Sequence, residues 1–445
     1  MDKILIDLTK TDGKIKPMNA VNNGPTAPDI RCSYTSFDAY KAANIPYARN
    51  HDASFFSDYG GEHTVDVHRI FKNFDADEND PSSYVFEPTD EYIKTTLDAG
   101  TKIFYRLGAS IEHGYKYGTK VPKDFSKWAR ICEHIIRHYN EGWANGFKYD
   151  IKYWEIWNEP DCYNHDGSRP CWQGTDEQFT ELYIVAAKHL KKCFPHLYIG
   201  GPAFASIWSE SFVDMFLKTA AKENAPLDFF SYHWYGNNIE DLRQTIAAAR
   251  EKLDGCGFKN TAAILNEWNY VKGWVADDWK YSLKKERELK GASFIAAAMC
   301  TGQAMPLDML MYYDARPCGM NGIFKYETYE CLKGYYTFMM FKELRSLKKY
   351  VLTKGQCEDI YSCAATDGKN SAVMLTYYND DDTLPSKKVS AVFLSKSKTS
   401  RAEVYVLDEK LNLELDREMY FDTNKFSICL DMQLHSSVLI KLYEN

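Results

Sequence analysis

The sequence predicts an α/β fold, a (β/α)8 TIM barrel followed by a C-terminal antiparallel β-sandwich domain. Short apolar runs alternate with longer segments of helical periodicity through about residue 345, the pattern of parallel strands joined by helical crossovers. There are eight such runs, and a barrel accommodates eight units better than an open doubly wound sheet. Beyond residue 346 the chain changes to short β-patterned pieces separated by polar turns. A length of 445 residues suits one large domain and one small. We expect the barrel over residues 15–345 and the sandwich over 346–445, with an N-terminal strand from residues 1–14 added to it.

The predicted barrel strands are Met18–Val21, Ile45–Arg49, Lys102–Leu107, Lys152–Trp157, Leu197–Gly200, Phe229–His233, Ala262–Leu265 and Met309–Tyr312. Between them, apolar residues three and four apart predict helices over Asp90–Ala99, Phe125–Asn140, Asp176–Cys193, Glu210–Glu223, Ile239–Leu253 and Lys285–Thr301. Asp124 or Ser126 and Thr175 or Asp176 are suitable N-caps for the second and third of these. The sandwich strands are expected at Ile360–Ala365, Ser371–Tyr378, Lys388–Phe393, Glu403–Leu407, Phe426–Leu430 and Ser437–Leu442.

Bulk composition narrows the function. The net charge of -8 is modest, and no basic run is long enough to track a phosphate backbone, so we expect no nucleic-acid partner. No run of about 18 apolar residues exists for a membrane span, and the first residues are too charged for a signal peptide; the expected location is cytoplasmic. The 12 cysteines include no CxxC pair, so reduced packing cysteines are expected, with no metal and no cofactor. Asp75–Asp80 resembles the opening of a calcium loop but carries Asp80 where the turn needs Gly. Glu62, His63 and His68 lack the spacing of a zinc helix. Aromatic residues make 15% of the chain, and their faces suit the C–H surface of sugar rings.

The chemistry concentrates in two segments. Tyr153–Pro160 is an aromatic, apolar run that ends in Asn158, Glu159 and Pro160; Pro cannot donate to a ladder, so the strand should stop at about Glu159. Thr261–Tyr270 repeats the grammar, a short apolar run ending in Asn266, Glu267 and Trp268. In such a barrel the C-terminal strand ends form the active-site face. Two carboxyl groups facing each other there are the equipment of glycoside hydrolysis, one protonating the leaving oxygen and the other attacking the anomeric carbon or activating water. The residues alone do not assign which glutamate does which.

Trp154–Asp161 and Ile264–Asn269 resemble the acid/base and nucleophile motifs of clan A retaining glycoside hydrolases, specifically family 39, the β-xylosidase and α-L-iduronidase family. Residues 48–51, 172–175, 199–202 and 230–235 extend the resemblance over most of the chain. It implies that Glu159 is the acid/base, that Glu267 is the nucleophile, and that Asn158 bonds the sugar 2-hydroxyl or the nucleophile's side. It also implies that His233 and Tyr235 line the site. Arg49 is a candidate for keeping Glu267 ionised, and His51, two residues on, for a sugar hydroxyl. Trp268 and Tyr312 or Tyr313 are candidates for an apolar wall against the ring.

Met309–Pro317 departs from the Trp-containing eighth strand of family β-xylosidases, and Asp314 and Arg316 stand where polar sugar contacts are expected. The resemblance implies a β-xylosidase-like exo-glycosidase acting on short oligosaccharides. An α-L-arabinoside, β-glucoside, β-galactoside or uronide specificity, a transglycosylase and a non-catalytic carbohydrate-binding barrel are the alternatives. Related barrels often associate, which leaves a homo-oligomer open.

Overall fold

The computed structural model describes residues 2–26, 34–51, 63–111, 118–164, 166–355 and 357–444. Cys32 and Glu62, the second of them named above, lie outside these residues. Eight parallel strands close into a barrel in chain order: β2 (Ala20–Asn22), β3 (Tyr47–Asn50), β4 (Lys102–Leu107), β5 (Tyr153–Ile156), β6 (Tyr198–Phe204), β7 (Phe229–Gly236), β8 (Ala262–Tyr270) and β9 (Met309–Tyr312). All eight predicted strands are present. β6, β7 and β8 run past their predicted ends, so Glu267 lies within a strand. β7 and β8 remain paired as far as Gly236 and Tyr270.

Helices form where the periodicity places them, with local reasons for their starts. The Asp124 side chain accepts the Lys127 N–H at 2.9 Å and starts Phe125–Asn140. Thr175 and Gln178 form a reciprocal capping box at the start of Asp176–Cys193. Helices Ala276–Glu286 and Lys333–Leu347 are additional to the expected set; the first is short and polar, and the second has weak amphipathic contrast. The Asp75–Asp80 carboxylates cap turns and pair with Lys123.

The remaining strands form two sheets. One has the order β11 (Thr353–Lys354), β1 (Asp2–Asp7), β14 (Lys387–Leu394) and β17 (Lys425–Met432). The other runs β10 (Lys349–Val351), β12 (Ile360–Thr366), β13 (Asn370–Tyr377), β18 (Ser437–Glu444), β15 (Ser400–Leu407) and β16 (Asn412–Phe421). Ile4, Ile6, Val373, Val389, Val404 and Ile440 share the apolar core of this part of the chain. β1 pairs in parallel with β14, which makes its sheet mixed instead of purely antiparallel as expected. A strand arriving from the far end of the chain has no hairpin to fix its direction. β16 is also absent from the expected strands; Leu413, Leu415, Met419 and Phe421 alternate along it, but Arg417 interrupts the pattern and charged residues surround it.

Inside the barrel, side chains alternate in and out with the two-residue period of a strand. A lower layer of Ala20, Phe104, Phe229, Ile264, Met309 and Met311 is apolar. Two residues further along the strands stand Asn22, Arg49, Glu155, Ser231 and Asn266, all fully buried. The barrel thus changes from apolar to polar within one step of the pleat, just beneath the strand ends that carry Glu159 and Glu267. No helix among the described residues is long and apolar enough to cross a membrane.

Candidate active site

Glu159 reaches the mouth through an irregular exit from β5. Trp157 (φ 79°) and Glu159 (φ 48°) both adopt left-handed backbone, a conformation that costs about 1–3 kcal/mol per residue and persists only where the surroundings fix it. Here the Trp157 N–H bonds the Leu107 carbonyl and the Glu159 N–H bonds the Ala203 carbonyl, each at 2.8 Å. The exit breaks the alternation that would have put Glu155, Trp157 and Glu159 on one side. Trp157 instead packs among Trp128, Trp172 and Phe179, and any side chain at Gly108 would collide with its ring.

Glu267 is turned inward by a β-bulge. β7 and β8 pair Tyr232 with Leu265 and then His233 with Glu267, so Asn266 is an extra residue. The extra residue puts two consecutive side chains inside: Asn266 bonds Glu155, while Glu267 lines the cavity. It also reverses the phase of everything after it. Trp268 faces outward, fully buried against Phe294 and Tyr312, and does not line the cavity. That corrects the expectation of a sugar wall there, which assumes an unbroken strand.

Tyr312 is corrected for a related reason. It is fully buried against Trp268 and Phe338, and its hydroxyl accepts the Gly322 N–H at 3.0 Å; its neighbour Tyr313 lines the cavity. Asp314 and Arg316 are buried beneath the surface, outside the cavity lining. The Asp314 carboxylate accepts from Asn23 Nδ2 at 3.0 Å and pairs with Arg316 Nη2 at 3.2 Å. These two brace the chain after β9, so the substrate contact expected of them is not what their placement provides.

The remaining predicted residues converge. One carboxylate oxygen each of Glu159 and Glu267 and one ring nitrogen of His233 lie within 4.8 Å of one another. Arg49 is the hub beneath them. Its Nε donates to Glu155 Oε2 at 2.7 Å, its Nη1 to Glu267 Oε2 at 3.0 Å and Asn22 Oδ1 at 3.2 Å, and its Nη2 to Asn158 Oδ1 at 2.7 Å. Burial opposes the guanidinium charge, but Glu155 and Glu267 more than restore it. With its oxygen turned to Arg49, Asn158 directs its amide N–H2 the other way, and the residue lines the cavity.

Glu155 lies within Trp154–Asp161 but is given no role there, and its contacts distinguish it from the two glutamates above. Oε1 accepts from Ser231 Oγ and Asn266 Nδ2, both at 2.6 Å, and Oε2 accepts from Arg49. Both oxygens are engaged in these bonds, so Glu155 supports Arg49 and is not offered to a reacting group. The only signal in the sequence is its place two residues after Tyr153, in the strand's inward phase.

The Tyr235 hydroxyl donates to Glu267 Oε1 at 2.6 Å, and His51 Nε2 stands 3.4 Å from Oε2. Burial nonetheless pushes the Glu267 carboxyl up to about 7, with the charge of Glu159 adding and Arg49 and Tyr235 pulling back. His233 Nδ1 lies 2.8 Å from Glu159 Oε1 and its Nε2 3.7 Å from Glu267 Oε2. Burial lowers His233 to about 4, so at neutral pH it carries one N–H and donates to only one glutamate at a time. Asp161, held by the backbone of Ala205 and Ser206 and by Ser209, ties the Glu159 loop to the loop after β6.

The cavity above these groups has a volume of about 900 Å³, and Trp208, Trp234, Trp274 and Tyr163 add aromatic surface to its walls. Trp274 has no sequence signal; it lies in the polar segment after β8, where no periodicity marks it. It stands edge-on to Tyr235 at 5.1 Å and stacks on Trp279.

Comparison with known proteins places this geometry. A glucosidase from Croceicoccus marinus superposes with a TM-score of 0.79 at 20% identity, covering 100% of this chain and 99% of that one. A GH39 β-xylosidase from Caulobacter crescentus gives 0.68 at 17% identity over 100% of both chains. At these identities the likeness is one of fold. A β-xylosidase from Caldicellulosiruptor saccharolyticus is 30% identical over 169 residues, 35% of this chain and 32% of that protein. Another, from Geobacillus stearothermophilus, is 28% identical over 178 residues, 37% and 33% respectively. The matched region thus spans about a third of these curated relatives. The profile of the family described as "Glycosyl hydrolases family 39" matches residues 3–265, more than half of the chain. On that match, with two facing glutamates at the C-terminal mouth of a closed barrel, the chain belongs to glycosyl hydrolase family 39.

Proposed function

We propose that the protein is a retaining glycosidase in which Glu267 is the nucleophile and Glu159 the acid/base. The observation that carries this reading is the approach of their carboxylate oxygens to within 4.8 Å. Retaining enzymes hold the two carboxyl groups about 5–5.5 Å apart, whereas inverting ones leave room for a water at about 6.5–9.5 Å. The contacts divide the roles. Arg49 and Tyr235 donate to Glu267 and favour its ionised form, the form a nucleophile needs, while Glu159 faces His233.

Glu267 attacks the anomeric carbon and forms the glycosyl-enzyme as Glu159 gives its proton to the departing oxygen. Glu159 then takes a proton from water, which displaces Glu267 and restores the pair. Asn158 Nδ2 donates to the sugar 2-hydroxyl, and Tyr313 and Trp274 shape the cavity walls. Both glutamates and their donor set are in place, which favours catalysis over a binding barrel.

We propose further that the substrate is a β-xyloside-like group at the end of a short oligosaccharide, supported by the description of both curated relatives as β-xylosidases. A cytoplasmic location fits the free state of the described cysteines. The division into a barrel over 15–345 and a sandwich over 346–445 with residues 1–14 is part of this reading, supported by the pairing of β1 with β14.

Hydrolysis of a panel of aryl glycosides (β-xyloside, α-arabinoside, β-glucoside, β-galactoside, β-glucuronide) tests the assignment. We expect β-xyloside to be cleaved with the highest kcat/KM and the first product to retain its anomeric configuration. Inversion would remove the nucleophile role of Glu267, and a different preferred sugar would remove the xylose assignment alone. Product analysis at high acceptor concentration separates hydrolysis from transglycosylation.

A further inference from the structure

Glu159 has a second set of neighbours that hydrolysis does not use. Cys162 closes the turn after it, its N–H bonding the Glu159 carbonyl at 3.1 Å. Cys171 returns to the same place nine residues later, fully buried, with its thiol 3.9 Å from Glu159 Oε2. One oxygen of Glu159 and the sulfurs of Cys162 and Cys171 all lie within 4.8 Å of one another. Cys162 and Glu159 line the cavity, which gives a solute a path to the cluster.

Two thiols and a carboxylate form the donor set of a tetrahedral site for a soft cation. With metal–sulfur bonds of about 2.3 Å and metal–oxygen bonds of about 2.0–2.2 Å, tetrahedral ligand atoms stand roughly 3.5–3.8 Å apart. The cluster therefore needs to contract by only about an ångström. The Glu159 oxygen turned to His233 supplies the outer hydrogen bond that metal-bound carboxylates use.

We propose that Cys162, Cys171 and Glu159 form a binding site for a thiophilic divalent cation of the Zn2+ and Cd2+ class, and that occupancy blocks hydrolysis by capturing the acid/base carboxylate. The blocking part rests on the role proposed for Glu159; the binding part does not. Binding converts two thiols to thiolates and displaces the Glu159 acid proton, releasing three protons from the protonated enzyme, and the ion, two thiolates and one carboxylate leave a net charge of -1, with a water in the fourth position. A carboxylate whose lone pair is on the ion neither holds a proton nor passes one to the leaving oxygen. Sulfur donors discriminate against Mg2+ and Ca2+.

The test uses chelator-stripped, phosphine-reduced protein. In an aryl-glycoside assay Zn2+ and Cd2+ are expected to inhibit and Mg2+ not, with Cys162→Ser and Cys171→Ser each raising the inhibition constant by about 100-fold or more. Independently of any activity, titration with Co2+ is expected to give the near-ultraviolet thiolate-to-metal absorption, which falls in Cys162→Ser and vanishes in the double variant. Glu133, His189 and Cys193 form another cluster of potential ligands, so Cys193→Ser is the control and should change neither readout. Inhibition that persists in Cys162→Ser, or a cobalt band that disappears with Cys193→Ser alone, overturns the proposal. If Cys171→Ser does not fold, Cys162→Ser, at a half-buried position, decides it. A cobalt band without glycosidase activity retains the metal site and removes the hydrolytic reading.

Discussion

The two ends of the barrel each enclose a large cavity, yet only one is equipped for chemistry. The cavity at the N-terminal ends of the strands is the larger, about 1050 Å³, and is lined by Lys16, Tyr47, Tyr153, Tyr198, Asp308 and Arg345. Its charged groups are occupied with the fold. Lys16 Nζ bonds the carbonyls of Gly302 and Met305, Asp308 accepts the Ala263 N–H, and Arg345 donates to the Asn44 carbonyl. At the other end, about 900 Å³ of space lies over an excess of carboxylate, with Glu155, Glu159 and Glu267 gathered round the guanidinium of Arg49. Volume does not locate the site; crowded like charge does. One end commits its polar groups to closing the barrel, while the other holds them against one another, at a cost to stability that makes a carboxyl reactive.

The contrast is broken most directly at Glu267. Glu267→Ala is expected to lower kcat/KM for an aryl glycoside by about 10^4-fold or more, and azide with an activated substrate should then yield a glycosyl azide of inverted configuration. No adduct, or near-normal turnover, removes the nucleophile assignment. Glu159→Ala should cost about 10^2- to 10^4-fold with a poor leaving group but leave the first chemical step fast with a good one, and azide should give the retained product. Equal losses for both leaving groups would mean that Glu159 does not protonate the departing oxygen.

Arg49→Lys tests the hub. A lysine cannot span Glu155, Asn158 and Glu267 together, so kcat/KM should fall by about 10^2-fold or more, with thermal stability reduced because Glu155 loses a buried partner. Unchanged kinetics would show that Glu267 does not depend on the guanidinium.

The pH dependence sharpens the comparison thermodynamically. A nucleophilic carboxyl acts in its ionised form, so the limb of kcat/KM that Glu267 governs should rise as pH rises through about 7, where burial sets the Glu267 carboxyl. Because that value is raised above 4.5, the folded state holds more protons than the unfolded one between about 4.5 and 7, and stability falls as pH rises through this window. Glu267→Gln escapes that penalty. It should be more stable than the parent by about 1–3 kcal/mol at pH 8 and no more stable near pH 4, measured by denaturant unfolding. A stability gain independent of pH would sink the argument. At the opposite end, Ile264→Val should cost about 0.5–1.5 kcal/mol while kcat/KM stays within about twofold. A large kinetic effect there would show that the apolar layer also tunes the site.

Much of the site is legible in the sequence. The two Asn-Glu segments, Arg49, His51, His233 and Tyr235 stand out there, and all of them meet at one mouth. The expectations that fail share a cause. Trp268 reaches the cavity only if a strand continues unbroken past Glu267, and the bulge at Asn266 reverses that phase. Tyr312 and Tyr313 are adjacent and equally plausible as a wall, and the turn of the chain at the end of β9 gives the cavity to Tyr313. Asp314 and Arg316 are charged residues at a strand end, a pattern that suits a substrate contact as well as an internal pair, and they pair with each other in the interior.

The sequence by itself determined the order of strands and helices and the two carboxyl groups. Each of these follows from periodicity or residue type over a few neighbours, and local steric and solvation preferences act at that range. The tertiary structure decided which glutamate is saturated and which is left reactive, since Glu155, Glu159 and Glu267 differ only in the donors that β3, β7 and β8 bring to them. It also decided that Cys162 and Cys171 converge on Glu159, because their spacing of nine residues encodes no motif. A donor arriving from 109 or 218 residues away leaves no mark on local pattern, and it is those donors that set the charge, the proton and the chemistry of the site.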